Sequence, residues 1–263
     1  MEKNGKTYAL ITGASKGIGR AIARELAARK HNLILHSLPD EGLPDFCREI
    51  EAAYNIHTHH YEVDLIIENG PLALFEFVKS KGCSVDILVN NAGISYGGNI
   101  EEYTAKQIDD IILLNIRALT HLTYYFIPGL KIQKDAYILF LSSFGSYFPI
   151  AYKSVYLATK SYIFYLSRAL GSELKDTPVS TCVIVPSAVN TNKSTLERIS
   201  RSRFSRTSAL SPEEVAATGI KGMFSGKKII IPGTLTNLFF SCAMFLPEGI
   251  LFMLTRRLFS KIR

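Results

Sequence analysis

The stretch TYALITGASKGIGRAIARELAARK, residues 7–30, decides the fold. Its first part, TYALIT (7–12), is a short apolar run of the kind that forms a buried strand. Its last part, GIGRAIARELAARK (17–30), sets Ile18, Ile22 and Leu26 at helical spacing. Between them lies TGASKGIG (12–19). Gly13, Gly17 and Gly19 permit a tight turn and let backbone N–H groups approach a diphosphate, whose charge the following helix N-terminus favours. Three glycines in a loop are weak evidence alone. At the first strand-to-helix junction of a βαβ unit they point to a bound nucleotide.

The same alternation continues outward. NLILHS (32–37), HTHHYEV (57–63), VDILVNNAG (85–93), AYILFLSS (136–143), VSTCVIVP (179–186) and KKIIIPG (227–233) read as strands. Residues 42–54, 71–81, 104–130 and 153–175 read as helices, and Ser211 with Pro212 behind it opens another over 211–224. Seven apolar strands separated by helices predict a parallel sheet buried on both faces, in an α/β, doubly wound, three-layer domain. That domain is expected to span residues 1–233, with 234–263 as an apolar and basic extension packed on or next to it.

Composition narrows the function. The 263 residues are 47% hydrophobic and 20% charged, as in ordinary globular chains. The net charge is +7, of which Arg256, Arg257, Lys261 and Arg263 supply +4, so the basicity is local. No zinc spacing or RNP-like aromatic strand accompanies it, and nucleic-acid binding is not expected. Cys47, Cys83, Cys182 and Cys242 are scattered, which suits free thiols in a reducing compartment. Strand alternation sends His57 and His59 to one face and His60 to the other, so no metal site is expected there. The N-terminus lacks a secretory pattern, and a cytoplasmic location is expected.

Two further motifs follow the glycine loop: NNAG (90–93) at the end of a strand, and Tyr156–Lys160 in KSVYLATKSY (153–162). Alone, a Tyr–Lys pair four residues apart is an ordinary helix-surface pair. Together, in this order, the three motifs resemble the short-chain dehydrogenase/reductase family over roughly residues 5–233. The resemblance implies a Rossmann-type domain that uses NAD(H) or NADP(H) to interconvert carbonyls and alcohols. It implies catalytic roles for Asn115, Ser143, Tyr156 and Lys160, with Ser143 chosen over Ser142 by its distance from Tyr156. It also implies cofactor contacts from Gly13, Ser15, Lys16, Gly17, Ile18 and Gly19 in the first loop. Asp64 is expected at the adenine, and Asn91, Ala92 and Gly93 beside the ribose together with Tyr156 and Lys160. Pro186, Val189 and Thr191 would follow the sixth strand, where Ser187 replaces the family's usual glycine.

The chemistry agrees with that pattern. A free phenol has a pKa of about 10, too high for ready proton exchange at neutral pH, and a neighbouring ammonium lowers it. Ser143 can hydrogen-bond an oxygen that gains charge, and Asn115 can hold a water linking Lys160 to solvent. Ser37 ends the second strand where NAD users tend to carry an acid, and Lys16 can pair with a 2′-phosphate. NADP(H) is therefore expected over NAD(H), with Asp40 the residue arguing against it.

The expected substrate is a small carbonyl or alcohol, hydrophobic or lipid-like. A 3-oxoacyl thioester on acyl carrier protein or coenzyme A is the alternative, suggested by Lys193, Arg198, Arg201, Arg203 and Arg206. A non-catalytic nucleotide-binding scaffold is the alternative of another class. A homodimer or homotetramer is expected, and the apolar stretch 235–254 with its basic end suits peripheral membrane contact.

Overall fold

The computed structural model describes residues 7–148, 150–191, 207–243, 249–251 and 253. The seven strands are β1 (Thr7–Thr12), β2 (Asn32–Ser37), β3 (Thr58–Glu62), β4 (Ser84–Asn90), β5 (Ala136–Leu141), β6 (Val179–Ile184) and β7 (Ile229–Ile230). They form one sheet in the order β3-β2-β1-β4-β5-β6-β7, with every neighbouring pair parallel.

Period-two alternation divides the core between the two faces of this sheet. Leu10, Leu88 and Ile138 face one cluster, and their chain neighbours Ile11, Val89 and Leu139 face the other. The first cluster is closed by α3 (Gly70–Ser80), α5 (Leu119–Leu130) and α6 (Ser154–Glu173), through Leu74, Phe126 and Phe164. The second is closed by α1 (Gly17–Ala28), α2 (Leu43–Tyr54) and α7 (Pro212–Phe224), through Leu26, Phe46 and Ile220. Each fully buried Leu, Ile or Phe of this kind contributes about 1.5–3 kcal/mol relative to an exposed position.

The expected start of α7 is present in detail. Ser211 Oγ accepts the Glu214 N–H at 3.1 Å, and the Glu214 carboxylate accepts the Ser211 N–H at 2.7 Å. This capping box, with Pro212 in the first turn, satisfies helix-end donors that would otherwise lack partners.

The expected single helix over 104–130 is instead three pieces. α4 (Ala105–Ile112) passes into a π-helical segment, Leu113–Ala118, before α5. The sequence periodicity did not show this, because one extra residue in a turn shifts the register without interrupting the apolar run. β7 is also shorter than the expected 227–233. The chain then enters α8 (Thr234–Ala243). Phe239 and Phe240 of α8 pack on Phe144, Tyr147 and Phe148, with ring centroids 4.7 to 6.2 Å apart. The C-terminal extension therefore begins against the turn that follows β5. The basic residues 193–206 and 256–263 lie outside the described residues.

Candidate active site

β1 lies beside the central strand β4, and the chain runs outward from β1 to β2 and β3 before returning to β4. Ligands of open α/β sheets bind beyond the strand C-termini at such a reversal. A cavity of about 690 Å³ lies there.

The reversal is held by hydrogen bonds from two residues. Thr12 Oγ1 donates to the Val89 carbonyl at 3.2 Å and accepts the N–H groups of Asn91 and Ala92, both at 3.0 Å. Asn91 Nδ2 donates to the carbonyls of Thr12 at 2.8 Å and Gly13 at 3.0 Å. Asn91, expected beside the ribose, thus also acts as a strut that shapes the glycine loop. Gly13 has φ +66, and a Cβ on Gly19 would stand 2.2 Å from the Gly13 carbonyl oxygen. Only glycine fits that cradle, whose free backbone face is what a diphosphate requires.

His36, which sequence reasoning passed over, supports the same loop from β2. Its Nε2 donates to the Val63 carbonyl at 2.9 Å, which leaves Nδ1 to accept the Gly13 N–H at 3.4 Å. Burial pushes its pKa down to about 4, against the opposing pull of the Val63 carbonyl, Asp64 and Glu41. The imidazole is therefore neutral at ordinary pH.

At the β1–β2–β3 end of the cavity, Ser15, Lys16, Ser37 and Asp64 all line the wall. Asp64 Oδ1 accepts the Ile66 N–H at 2.9 Å, fixing the turn after β3. Glu41 is a wall residue too, and it was also missed. Its carboxylate accepts hydrogen bonds from Ser15 Oγ and Lys16 Nζ. Burial alone would raise its pKa, but the Lys16 and Ser15 hydrogen bonds outweigh that and hold it below the usual range. Asp40, the acid singled out from the sequence, is exposed at φ +61 and does not line the cavity. The loop after Asp40 turns Glu41 inward instead.

At the β4–β5–β6 end, Ser143, Tyr156 and Lys160 line the same cavity, together with Ala92, Gly93, Pro186, Val189 and Thr191. Lys160 is buried on α6, donates to the Leu141 carbonyl at 2.8 Å and lies 5.7 Å from the Tyr156 ring centroid. Burial lowers its pKa to about 8, so it is largely protonated at neutral pH. Ser142 commits its hydroxyl to the Lys160 carbonyl at 2.7 Å, which leaves Ser143 as the better placed of the two serines to meet a substrate. Ser187 donates to the Ser208 carbonyl, tying the loop after β6 to the segment before α7.

Two expected residues stand behind the cavity wall, Gly19 and Asn115. Asn115 is fully buried in the π-helical segment. Its Oδ1 accepts the Ile94 N–H, and its Nδ2 donates to the Ile94 carbonyl and to Thr159 Oγ1, all at 3.0 Å. Both amide N–H groups are used, so the expected water relay has only acceptor atoms of Asn115 to work with. Its observed contacts hold the β4 loop and α6 together.

A family model described as short chain dehydrogenase matches residues 7–200. The chain belongs to the short-chain dehydrogenase family. Among curated relatives, a very-long-chain 3-oxoacyl-CoA reductase of Pyrenophora tritici-repentis is 32% identical over 200 residues, covering 74% of this chain and 58% of that protein. A protein of the same description from Anas platyrhynchos is 30% identical over 244 residues, covering 89% of this chain and 75% of its own. A third, from Phaeosphaeria nodorum, is matched over 51% of its length. This short-chain dehydrogenase thus spans little more than half of some of the relatives it resembles. Among solved structures, a 7beta-hydroxysteroid dehydrogenase superposes with TM-score 0.85 at 19% identity over 95% of this chain and 96% of that one. A short-chain dehydrogenase from Sphingobium yanoikuyae in complex with NADPH gives 0.78 at 24% identity over 92% and 97%. These likenesses are of fold.

Proposed function

We propose that this short-chain dehydrogenase is an NADP(H)-preferring oxidoreductase that interconverts a carbonyl and a secondary alcohol, with a hydrophobic or lipid-like substrate. The observation that carries the reading is the meeting of Ser143, Tyr156 and Lys160 with the glycine loop on one cavity. The glycine cradle and the Lys160 ammonium suit a dinucleotide's diphosphate and ribose. A nicotinamide held there would supply the hydride, or accept it in reverse.

The chain's own residues handle the proton and the developing charge. In reduction the Tyr156 hydroxyl gives its proton to the carbonyl oxygen, and in oxidation the phenolate takes it back. Ser143 donates a hydrogen bond to that oxygen as charge builds on it. Lys160 favours the phenolate by its positive charge. Tyr156→Phe is expected to lower turnover by about 100-fold or more while leaving NADPH binding intact. Retained turnover of Tyr156→Phe in a screen of ketones, steroids, sugars and 3-oxoacyl thioesters would sink the mechanism.

NADP(H) is favoured by Ser37 in place of an acid and by Lys16 on the cavity wall, and opposed by the Glu41 carboxylate that pairs with Lys16 there. Solved neighbours bound to NADPH or NADP have the same fold. The relatives' descriptions favour one second reading, reduction of a 3-oxoacyl-CoA. The thioester arm of the same screen separates the two.

Membrane contact is a further part of the reading. Leu238 on α8 and Met253 are each 63% exposed, and Arg256, Arg257, Lys261 and Arg263 follow in sequence. No helix among the described residues is long and apolar enough to cross a bilayer. A surface attachment suits these features better. Flotation with anionic liposomes tests it, since binding that survives removal of residues 234–263 overturns it. The proposed homodimer or homotetramer is tested by light scattering.

A further inference from the structure

Tyr152, just before α6, has φ +66, an unfavourable conformation for a residue with a side chain. Its carbonyl accepts the Gly98 N–H at 2.9 Å, which staples this turn to the loop after β4. The next residue, Lys153, caps α6 and lines the cavity. Its Nζ donates to Ser95 Oγ of the same β4 loop at 3.0 Å and lies 5.2 Å from the Tyr156 ring centroid. Lys160 Nζ lies 5.7 Å from that ring. Residues 153, 156 and 160 share one helical stripe, so two ammonium groups flank a single phenol.

We propose that Lys153 is a positioning residue for the chemistry, a second cation that stabilises the Tyr156 phenolate from the open side of the cavity while Lys160 does so from the buried side. The inference rests on the reading of Tyr156 as the proton carrier. The strained turn and the Ser95 tether hold in place an ammonium whose flexible stem would otherwise let it leave the ring.

The other groups around Tyr156 do not supply this charge. Among the described residues, the β4 loop brings Ser95 and the titratable Tyr96, the π-helical segment brings Asn115, and the end of β5 brings Ser143. The remaining charged or titratable groups on the cavity wall, Lys16, His36, Glu41 and Asp64, gather at its β1–β2–β3 end. Lys153 and Lys160 are the cations among the described residues at the phenol's end.

Near-ultraviolet tyrosinate absorbance of the full-length protein, taken as wild type minus Tyr156→Phe across a pH titration, reads the phenolate without needing a substrate. Lys153→Met is expected to move that transition up by about half a pH unit or more, because removing a nearby cation disfavours the anion. Lys153→Gln, which keeps a donor for Ser95 and loses the charge, should give the same shift, and Lys153→Arg should restore the wild-type position. The acid limb of kcat/KM for alcohol oxidation should move upward in step. An unmoved transition in both neutral variants overturns the proposal, and so does a shift in Met without one in Gln, which would reduce Lys153 to a tether. A rise in KM alone would make Lys153 a substrate contact instead. If the Met variant does not fold, the Gln variant decides alone. Full activity of Tyr156→Phe is a separate outcome and fells the underlying reading.

Discussion

Lys16 pairs with Glu41, so under the proposed function a 2′-phosphate docking on Lys16 would meet a carboxylate beside the cation. The two effects of Glu41, repelling the phosphate and occupying Lys16, have the same sign. Glu41→Gln removes both, and the ratio of kcat/KM for NADPH over NADH is expected to rise about 3- to 10-fold. An unchanged ratio would mean that Glu41 does not face the ribose. Lys160 offers a second test at this scale. Burial lowers its pKa from 10.5 to about 8, so the unfolded chain binds a proton between those values that the native protein has released. Stability from this group is therefore lowest below pH 8 and rises as pH climbs toward 10.5. Lys160→Met should lose turnover yet gain about 2 kcal/mol at neutral pH, after the loss of the Leu141 hydrogen bond is subtracted. It should also flatten the rise in the denaturation midpoint above pH 8. A midpoint equal to or below wild type at pH 7 would contradict this.

The π-helical segment at Leu113–Ala118 shows how an element, not one side chain, builds the site. Its extra residue per turn buries Asn115 between Ile94 and Thr159. Asn115→Ala leaves both backbone groups of Ile94 without the amide and removes the donor to Thr159 Oγ1, which keeps its own bond to the Tyr156 carbonyl, at a cost of about 3 kcal/mol. The β4 loop and α6 would then drift apart, so kcat should fall more than cofactor affinity does. Equal stability of the variant by chemical denaturation would show that the loop is held elsewhere. Strand and helix order was open to sequence reasoning because periodicity and glycine placement are local signals. The π-turn was not, because its effect is a register slip within an unbroken apolar helix. Glu41, His36 and Lys153 stayed silent for a related reason. Each is an ordinary residue in its own stretch of chain and is placed by a neighbour at least 20 residues away, Ser15 for Glu41, Gly13 for His36 and Ser95 for Lys153.

Across the molecule, the two faces of the sheet carry different tasks. The face closed by α1, α2 and α7 supports the glycine loop, and the face closed by α3, α5 and α6 supports Tyr156 and Lys160. Phe144 belongs to the second face and lines the cavity while touching Phe239 of α8. Ending the chain at Gly233 would uncover Phe144, Tyr147 and Phe148. That truncation is expected to lower thermal stability and to raise KM for carbonyl substrates, while NADPH affinity, under the proposed function a property of the glycine-loop end, changes little. A truncated protein with unchanged KM would place α8 outside the substrate wall. The paired motifs made the glycine-loop end of the cavity readable in the sequence as a meeting of residues on one wall. The packing of α8 behind Phe144 was less readable, because the apolar residues of the chain's last segment fit a wall, a membrane or a partner equally well until a contact is seen.

His36 gives the shape of the glycine loop a built-in acid limit. The Gly13 N–H hangs on a lone pair that exists only while the imidazole is neutral. Because its pKa is pushed down to about 4, that hydrogen bond is indifferent to any swing in pH around neutrality. Stability from this group is full above about pH 6.5 and drains away as pH falls toward 4, since the unfolded chain takes up the proton first. In strong acid the glycine loop would lose this tether to β2.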